Sequence, residues 1–245
     1  MKIESNALAE HVSPSHYEKP GLIEKLRLFL NRNDNVLDAG CGRGIDAARL
    51  HSECGVRVVG FDTDLRALVE AKERGIDVVR ADLDQGWPIR SGAIDAVLAV
   101  FVIHNVKDKR RFLSESARSL RAGGRLYILT ASHEDIQRRW LNQFFPSLSK
   151  IDCERYPSTG AISEMISDHG MHIQSISGVV IGTEHLNASY LNLVQGRNWS
   201  SLRLLPDTEF AEGARRFSAF FVKHADGGQA INWPNSKTLV VAKKL

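Results

Sequence analysis

A carboxylate and three alternating glycines lie between a strand pattern and a helix pattern, in the stretch VLDAGCGRG at positions 36–44. Glycine accepts a positive φ and leaves no side chain between the backbone and a ligand. A glycine-rich turn between a strand and a helix is where an open α/β sheet binds a nucleotide-like cofactor. The dinucleotide pattern G-x-G-x-x-G fails here because position 45 is Ile, and Asp38 would repel a pyrophosphate. Asp38 suits a cationic group such as an ammonium, and a tight turn without a ligand is the alternative interpretation.

Two further carboxylates follow strand patterns. Asp62 ends the second strand pattern and stands about 20 residues beyond Gly42, the separation at which a carboxylate accepts hydrogen bonds from ribose hydroxyls. Asp64 is expected to cap the next helix, which favours Asp62 for the ribose. Asp82 follows the third strand pattern, where on its own it could simply cap a turn.

The pattern D-x-G-x-G-x-G at 38–44 resembles the first motif of class I S-adenosylmethionine-dependent methyltransferases. The pair at 82–83, Asp-Leu, resembles the acidic residue and its neighbour that follow the third strand in this family. FVIHNV at 101–106 is similar to the F-V-L-H-H-V of bacterial small-molecule methyltransferases of the type 11, ubiquinone-menaquinone-methylase-like group, with Asn where a second His often stands. LRAGGRL at 120–126 resembles the family's L-K-P-G-G-R-L, with Ala in place of proline. These ordered motifs cover roughly residues 22–130, and the rest of the chain matches only in outline.

The resemblance implies a site for S-adenosyl-L-methionine, with S-adenosyl-L-homocysteine as the product. In this family the three acids hold the methionine end, the ribose and the adenine amine of the cofactor, in chain order. An aromatic residue of an N-terminal segment can cover the cofactor, and Tyr17 could fill that role or be ordinary packing. The expected cofactor-binding residues are Tyr17, Asp38, Gly40, Cys41, Gly42, Asp62, Thr63, Asp82, Leu83, Val100 and Phe101.

The resemblance also implies in-line transfer of the sulfonium methyl group to an O, N, S or C atom of a small-molecule acceptor. Alignment of the reacting atoms and exclusion of water can supply much of the rate enhancement. His104 follows the carboxyl end of the fourth strand pattern and can titrate near neutral pH, so it is the candidate general base. The alternative is that His104 only orders its loop by hydrogen bonding.

Two other functions are compatible with the same fold. A methyltransferase acting on tRNA or protein is less supported, because no N-P-P-Y-type tetrapeptide follows the fourth strand pattern. A non-catalytic cofactor-binding module is disfavoured by the intact set of acids and glycines.

The alternation of strand and helix patterns up to residue 130 predicts an α/β fold with a doubly wound, mostly parallel sheet. Together with the family outline it suggests seven strands, the last one antiparallel beside the fifth. We expect one domain over residues 1–245, with an N-terminal arm at 1–20. Strand patterns at 171–181 and 238–242 enclose residues 182–236, which are too many for a plain hairpin. We interpret them as a helical insertion that caps the substrate pocket.

Composition excludes several other classes of protein. Lys and Arg number 32 against 29 acidic residues, so the net charge of +3 gives no reason to expect a nucleic-acid partner. Three cysteines without a C-x-x-C pattern fit a reducing compartment, and the histidines show no metal-ligand spacing. The longest apolar run, 96–103, is too short to cross a bilayer and no secretory signal is visible, so we expect a cytoplasmic protein without a membrane partner.

Overall fold

The computed structural model describes residues 19–225 and 231–245. Tyr17 and almost all of the expected N-terminal arm therefore lie outside the described residues. Among the described residues, none of the helices combines the length and the apolar character that a membrane span needs.

Helices and strands alternate through the first half of the chain, as the sequence predicts, with one exception. The elements are α1 (Pro20–Leu26), β1 (Asn35–Ala39), α2 (Ile45–Cys54), β2 (Arg57–Asp62), α3 (Leu65–Glu73), β3 (Asp77–Arg80), β4 (Ile94–Val100), α4 (Lys109–Ser119) and β5 (Leu120–Thr130). The exception is the connection from β3 to β4, which is a loop without a helix.

The second half adds two long strands and mostly short helices. The elements are α5 (His133–Gln137), a 3-10 helix (Trp140–Gln143), α6 (Leu148–Arg155), α7 (Thr159–Ser167), β6 (Met171–His185), α8 (Ala188–Gln195), a second 3-10 helix (Leu202–Leu204), α9 (Asp207–Ala225) and β7 (Asn232–Lys244).

The strands form one seven-stranded sheet in the order β3-β2-β1-β4-β5-β7-β6. Strands β1 to β5 pair in parallel, and β7 pairs antiparallel with both β5 and β6. The predicted doubly wound sheet with an antiparallel last strand beside the fifth is therefore confirmed. The chain leaves β1 towards β2 on one side and returns as β4 on the other side. This reversal of strand order opens a crevice at the carboxyl ends of β1 and β4.

The sheet is covered on both faces, which explains the almost continuous apolar sequence of β4. Alternate residues of β4 enter different cores: Val97 packs with α4 and α7, whereas Leu98 packs with α1 and α2. A third core joins aromatic side chains of residues 140–148 to those of α8, α9 and the start of β7. This third core belongs to the helical region that follows β5.

The last two strands are longer than the sequence predicts. Strand β6 continues to His185 and β7 begins at Asn232, because the two remain paired as a ribbon in which Val180 lies opposite Ser236 and Glu184 opposite Trp233. The helices between them consequently lie within 186–231, inside the expected insertion at 182–236.

The helix expected over 133–145 is interrupted. Helix α5 ends at Gln137, and the chain resumes as a 3-10 helix at Trp140, whose ring lies 4.8 Å from that of Trp233 and 5.7 Å from that of Phe217. Packing of Trp140 among distant aromatic rings is not encoded in the local periodicity. Helix α6 was not anticipated at all, since its sequence has almost no apolar stripe.

Replacing Leu113 with Ala should lower the free energy of unfolding by about 2–5 kcal/mol, because its fully buried side chain on α4 would leave a cavity in the core. The change should be measured by urea denaturation followed by circular dichroism. Leu65→Ala is the matched control, since Leu65 is 55% exposed and its truncation should cost less than about 0.5 kcal/mol. Equal decreases in the free energy of unfolding of Leu113→Ala and Leu65→Ala would contradict the assigned packing of α4.

Candidate functional site

A cleft of about 320 Å³ lies at the carboxyl ends of β1, β2, β3 and β4. All the expected cofactor-binding residues that the structure describes line it: Asp38, Gly40, Cys41, Gly42, Asp62, Thr63, Asp82, Leu83, Val100 and Phe101. The cleft thus gathers residues from four separate strand ends into one concave surface. Their role in binding remains a prediction.

The glycine loop after β1 requires glycine for two different reasons. Gly40 has φ +83°, and a Cβ there would lie 2.6 Å from Cγ2 of Val102, so a larger residue would push the loop after β4 away. Gly42 has φ +51°, and a Cβ there would meet no described atom within 4 Å. Gly42 therefore contributes a positive φ and bare backbone at the cleft rather than tight packing.

Asp38 is a buried carboxylate that the protein leaves poorly compensated. Only 3% of the residue is exposed, and its Oδ1 atom has no hydrogen-bond partner among the described residues. Burial raises the pKa of Asp38 to about 8, with a smaller increase from the negative charges of Asp46 and Asp62 and an opposing effect of Lys19. A cationic ligand in the cleft would supply the missing counter-charge.

Asp62 fastens the glycine loop to the end of β2. Its Oδ2 accepts a hydrogen bond from the Gly42 N–H at 2.8 Å, and its Oδ1 accepts one from the Asp64 N–H at 3.0 Å. Asp64 caps α3 as expected, accepting from the Arg66 N–H at 2.9 Å. Each carboxylate oxygen of Asp62 keeps capacity for a second hydrogen bond, which vicinal hydroxyls of a ligand could use.

Asp82 and Asp84 join the loop after β3 to the loop after β4. Asp82 Oδ1 accepts from the Asp84 N–H at 3.0 Å, and Asp84 Oδ1 accepts from the N–H groups of Lys107 and Asp108, both at 2.8 Å. Asp84 also lines the cleft and was missed by the sequence interpretation. Asp84 stands only two residues after Asp82, and this closeness in the sequence could have indicated that it also lines the cleft.

Phe101 turns the chain sharply at the end of β4. It has φ +51°, an unfavourable value for a non-glycine residue, while its N–H donates to the Leu129 carbonyl of β5 at 2.9 Å. Such backbone strain costs about 1–3 kcal/mol and clusters at ligand sites. The turn carries Phe101 and Val102 into the cleft lining.

A buried ion pair that the sequence interpretation missed closes one side of the cleft. Lys19 Nζ lies 2.7 Å from Asp46 Oδ2, and both residues line the cleft with less than a tenth of their surface exposed. The two are 27 residues apart, and no local pattern links them.

His104 is placed differently from the expected cofactor residues. Its ring stacks on Tyr156 with centroids 4.0 Å apart, and its Nε2 lies 3.3 Å from the Tyr156 hydroxyl. Burial, together with the positive charges of Arg155 and Lys109, lowers the pKa of His104 to about 3. The imidazole is therefore neutral but a weak proton acceptor at neutral pH, which counts against a general base and favours the loop-ordering alternative.

Comparison with known proteins agrees with the geometry of the cleft. Residues 37–128, from β1 to β5, match the family model described as a methyltransferase domain of type 11. These residues form a class I methyltransferase domain of the type 11 group. The cofactor of this family is S-adenosylmethionine.

Two curated relatives and one solved structure show how far the similarity extends. A demethylmenaquinone methyltransferase of Tropheryma whipplei is 30% identical over 149 residues, which cover 58% of this chain and 62% of the relative. A 27-O-demethylrifamycin SV methyltransferase of Amycolatopsis mediterranei is 30% identical over 111 residues, 41% of this chain and 40% of the relative. The matches thus span less than two thirds of these curated relatives.

The solved structure is a methyltransferase ascribed to an antibiotic biosynthesis pathway of Anabaena variabilis. It superimposes with a TM-score of 0.73 at 15% identity, covering 95% of this chain and 100% of the other. At this identity the similarity shows the methyltransferase fold.

The residues of the cleft fit the family's cofactor. The orphaned Asp38 oxygen suits an ammonium group, Gly42 presents open backbone, and Asp62 retains acceptor capacity for ribose hydroxyls. Within the described part of the chain, no group of three His, Cys, Asp or Glu side chains is arranged to hold a metal ion.

Replacing Asp38 with Asn should stabilise the ligand-free protein, and the gain should grow with pH. The pKa of Asp38 is 3.8 in an ordinary environment and about 8 in the folded protein, so the folded state binds the proton more tightly. The contribution of Asp38 to wild-type stability should consequently be most favourable below about pH 4 and be lost as the pH rises to about 8, whereas Asn has no charge to bury. Urea denaturation of both proteins at pH 5, 6, 7 and 8 measures the difference.

Asp77→Asn is the matched control, because Asp77 is an exposed aspartate and its replacement should give no comparable trend. A stability difference between Asp38→Asn and wild type that is the same at pH 5 and pH 8 would contradict the raised pKa.

Proposed function

We propose that this protein transfers the methyl group of S-adenosylmethionine to a small-molecule acceptor by in-line displacement. The observation that carries the proposal is the buried, poorly compensated carboxyl group of Asp38 beside the open backbone of Gly42, at the crevice where the strand order reverses. A protein without a cationic ligand would gain stability by losing this charge.

The chain's own residues would bind and orient the cofactor in four places. Asp38 would hold the ammonium, the backbone at Gly42 would approach the methionine moiety, and Asp62 would accept hydrogen bonds from the ribose. Asp82 would accept a hydrogen bond from the adenine amine through the oxygen that Asp84 does not use. Leu83, which is 8% exposed, would pack against the base. When bound, the cofactor supplies an activated methyl group on a sulfonium, and the protein supplies alignment and exclusion of water.

A small acceptor is supported by the relatives and by the helices after β5. Both relatives described above are named for acceptors of low molecular mass. The third core, built from residues 140–148, α8, α9 and Trp233, forms an apolar aromatic body on the acceptor half of the protein. We propose that this body is the substrate cap of a single domain and that it shields the transfer from water.

Calorimetric titration tests the proposed function directly. S-adenosylmethionine and S-adenosylhomocysteine should bind with micromolar affinity, and NAD should not bind, because Asp38 would repel its pyrophosphate. Asp62→Ala should weaken binding of both sulfur cofactors about tenfold or more, since hydrogen bonds to a charged group and the anchor of the glycine loop are lost.

Asp64→Ala is the control for this experiment. It removes the α3 cap and should cost about 1 kcal/mol of stability while leaving cofactor affinity nearly unchanged. Binding of neither sulfur cofactor to the wild-type protein would require withdrawal of the proposed function.

His104 is proposed to position the loop after β4 rather than to remove a proton. His104→Gln and Tyr156→Phe should each lower kcat by less than about tenfold, whereas loss of a general base costs about 100-fold or more. Because both variants break the same contact, the double variant should be no slower than the worse single one. Rates of S-adenosylhomocysteine release with an accepted acceptor provide the measurement.

His172→Gln is the control, because His172 is exposed and lies away from this contact. A loss above 100-fold in His104→Gln, with cofactor affinity unchanged, would restore the general-base assignment.

A further inference from the structure

A second cavity of about 370 Å³ lies between the end of β6, the start of β7 and helix α8. It is lined by Lys19, Ile181, Gly182, Thr183, Glu184, His185, Asn187, Ser189, Tyr190, Leu193, Trp199 and Asn235. One wall is apolar and aromatic, with the rings of Tyr190 and Trp199 5.2 Å apart. A few polar groups on largely apolar walls are typical of a small-molecule site.

The second cavity adjoins the cofactor cleft. Lys19 lines both spaces, and its Nζ is directed to Asp46 on the cleft side. A molecule in the second cavity would therefore sit next to the cleft across a single side chain. In-line transfer brings the reacting atoms to about 3–3.5 Å, so an acceptor held in this cavity would have to extend past the Lys19 side chain to reach the methyl donor.

Glu184 is the acidic residue of the cavity lining. The paired register places it opposite Trp233, and the side chains of Tyr190 and Trp233 interact with its carboxylate. Burial raises the pKa of Glu184, and the positive charges of Lys237 and Arg139 oppose that shift. The Lys237 ammonium is also hydrogen-bonded to Asn235 and to the Ser236 carbonyl.

We infer that this cavity is the acceptor subsite and that Glu184 accepts a hydrogen bond from a hydroxyl group of a neutral, planar acceptor. The inference rests on the proposed function and adds the position and the chemical class of the acceptor. Two aromatic rings offer flat apolar surface to a planar molecule. An anionic acceptor would be repelled by Glu184, and a cationic one would meet the positive charges of Lys237 and Arg139 that already face this carboxylate. A neutral hydroxyl donor adds no charge to the cavity.

Four naphthalene probes of similar size test the inference by calorimetry on protein saturated with S-adenosylhomocysteine. They are 2-naphthol, 2-methoxynaphthalene, 2-naphthoate and 2-naphthylmethylammonium. We expect 2-naphthol to bind about tenfold or more tightly than 2-methoxynaphthalene, in which a methyl group replaces the hydroxyl proton. The anionic and the cationic probes should both bind more weakly than 2-naphthol.

Glu184→Gln keeps the shape of the side chain and an acceptor oxygen but removes the charge, so a neutral hydrogen bond replaces a charge-assisted one and the preference for 2-naphthol over the ether should fall several-fold. Glu73→Gln is the matched control, because Glu73 is exposed on α3 and should leave all four affinities unchanged. Ser189→Trp places a bulky ring in the cavity from an exposed position and should weaken all four probes without unfolding the protein.

The outcomes separate this inference from the proposed function. Failure of the wild-type protein to bind S-adenosylhomocysteine would overturn the proposed function itself. Normal binding of S-adenosylhomocysteine with equal affinities for 2-naphthol and 2-methoxynaphthalene would overturn the inference alone, as would an unchanged preference in Glu184→Gln. Binding of either charged probe more tightly than 2-naphthol would overturn the assigned chemical class of the acceptor. Unaltered probe binding in Ser189→Trp would overturn the assigned location of the acceptor subsite.

Discussion

The burial of one poorly compensated charge, the carboxylate of Asp38, is the constraint around which the cleft is built. Lys19, whose positive charge acts on Asp38, bonds to Asp46, and the Oδ1 atom of Asp38 has no partner among the described residues. A buried charge without a partner costs several kcal/mol, so the fold around it must be stable for other reasons. That stability comes from a mostly parallel sheet whose central strands β1 and β4 are largely buried and which has a separate core on each face.

The loops around Asp38 are held by carboxylates placed at or just beyond the ends of strands. Asp62 at the end of β2 holds the glycine loop that follows β1, and Asp84 beyond β3 holds the loop that follows β4. Each acid therefore fixes the loop of another strand. Because parallel strands end at one edge of the sheet, these cross-links form without long side chains, and the strained turn at Phe101 is held between them.

Local patterns in the sequence were sufficient to predict the glycine loop, the positions of Asp62 and Asp82 at strand ends, and the order of elements up to β5. Each of these depends on a strand end, a turn residue and a fixed spacing along the chain. Lys19, Asp46, Tyr156 and Glu184 depend instead on contacts between distant segments, and periodicity carries no information about such contacts. The same reason explains the interrupted helix at Trp140 and the extension of β6 and β7, which are set by strand pairing and by packing of aromatic rings from distant segments.

The two halves of the chain divide the proposed chemistry between them. The family match at 37–128 contains the strand-end acids and glycines of the cofactor cleft, whereas every residue that lines the second cavity lies before or after it. The paired extension of β6 and β7 forms one wall of that cavity, and Tyr190 and Trp199 of its lining also belong to the third core. Side chains of the second cavity can therefore differ between relatives while the cleft keeps its geometry. On the proposed assignment, the charge and shape around Glu184 select among small acceptors.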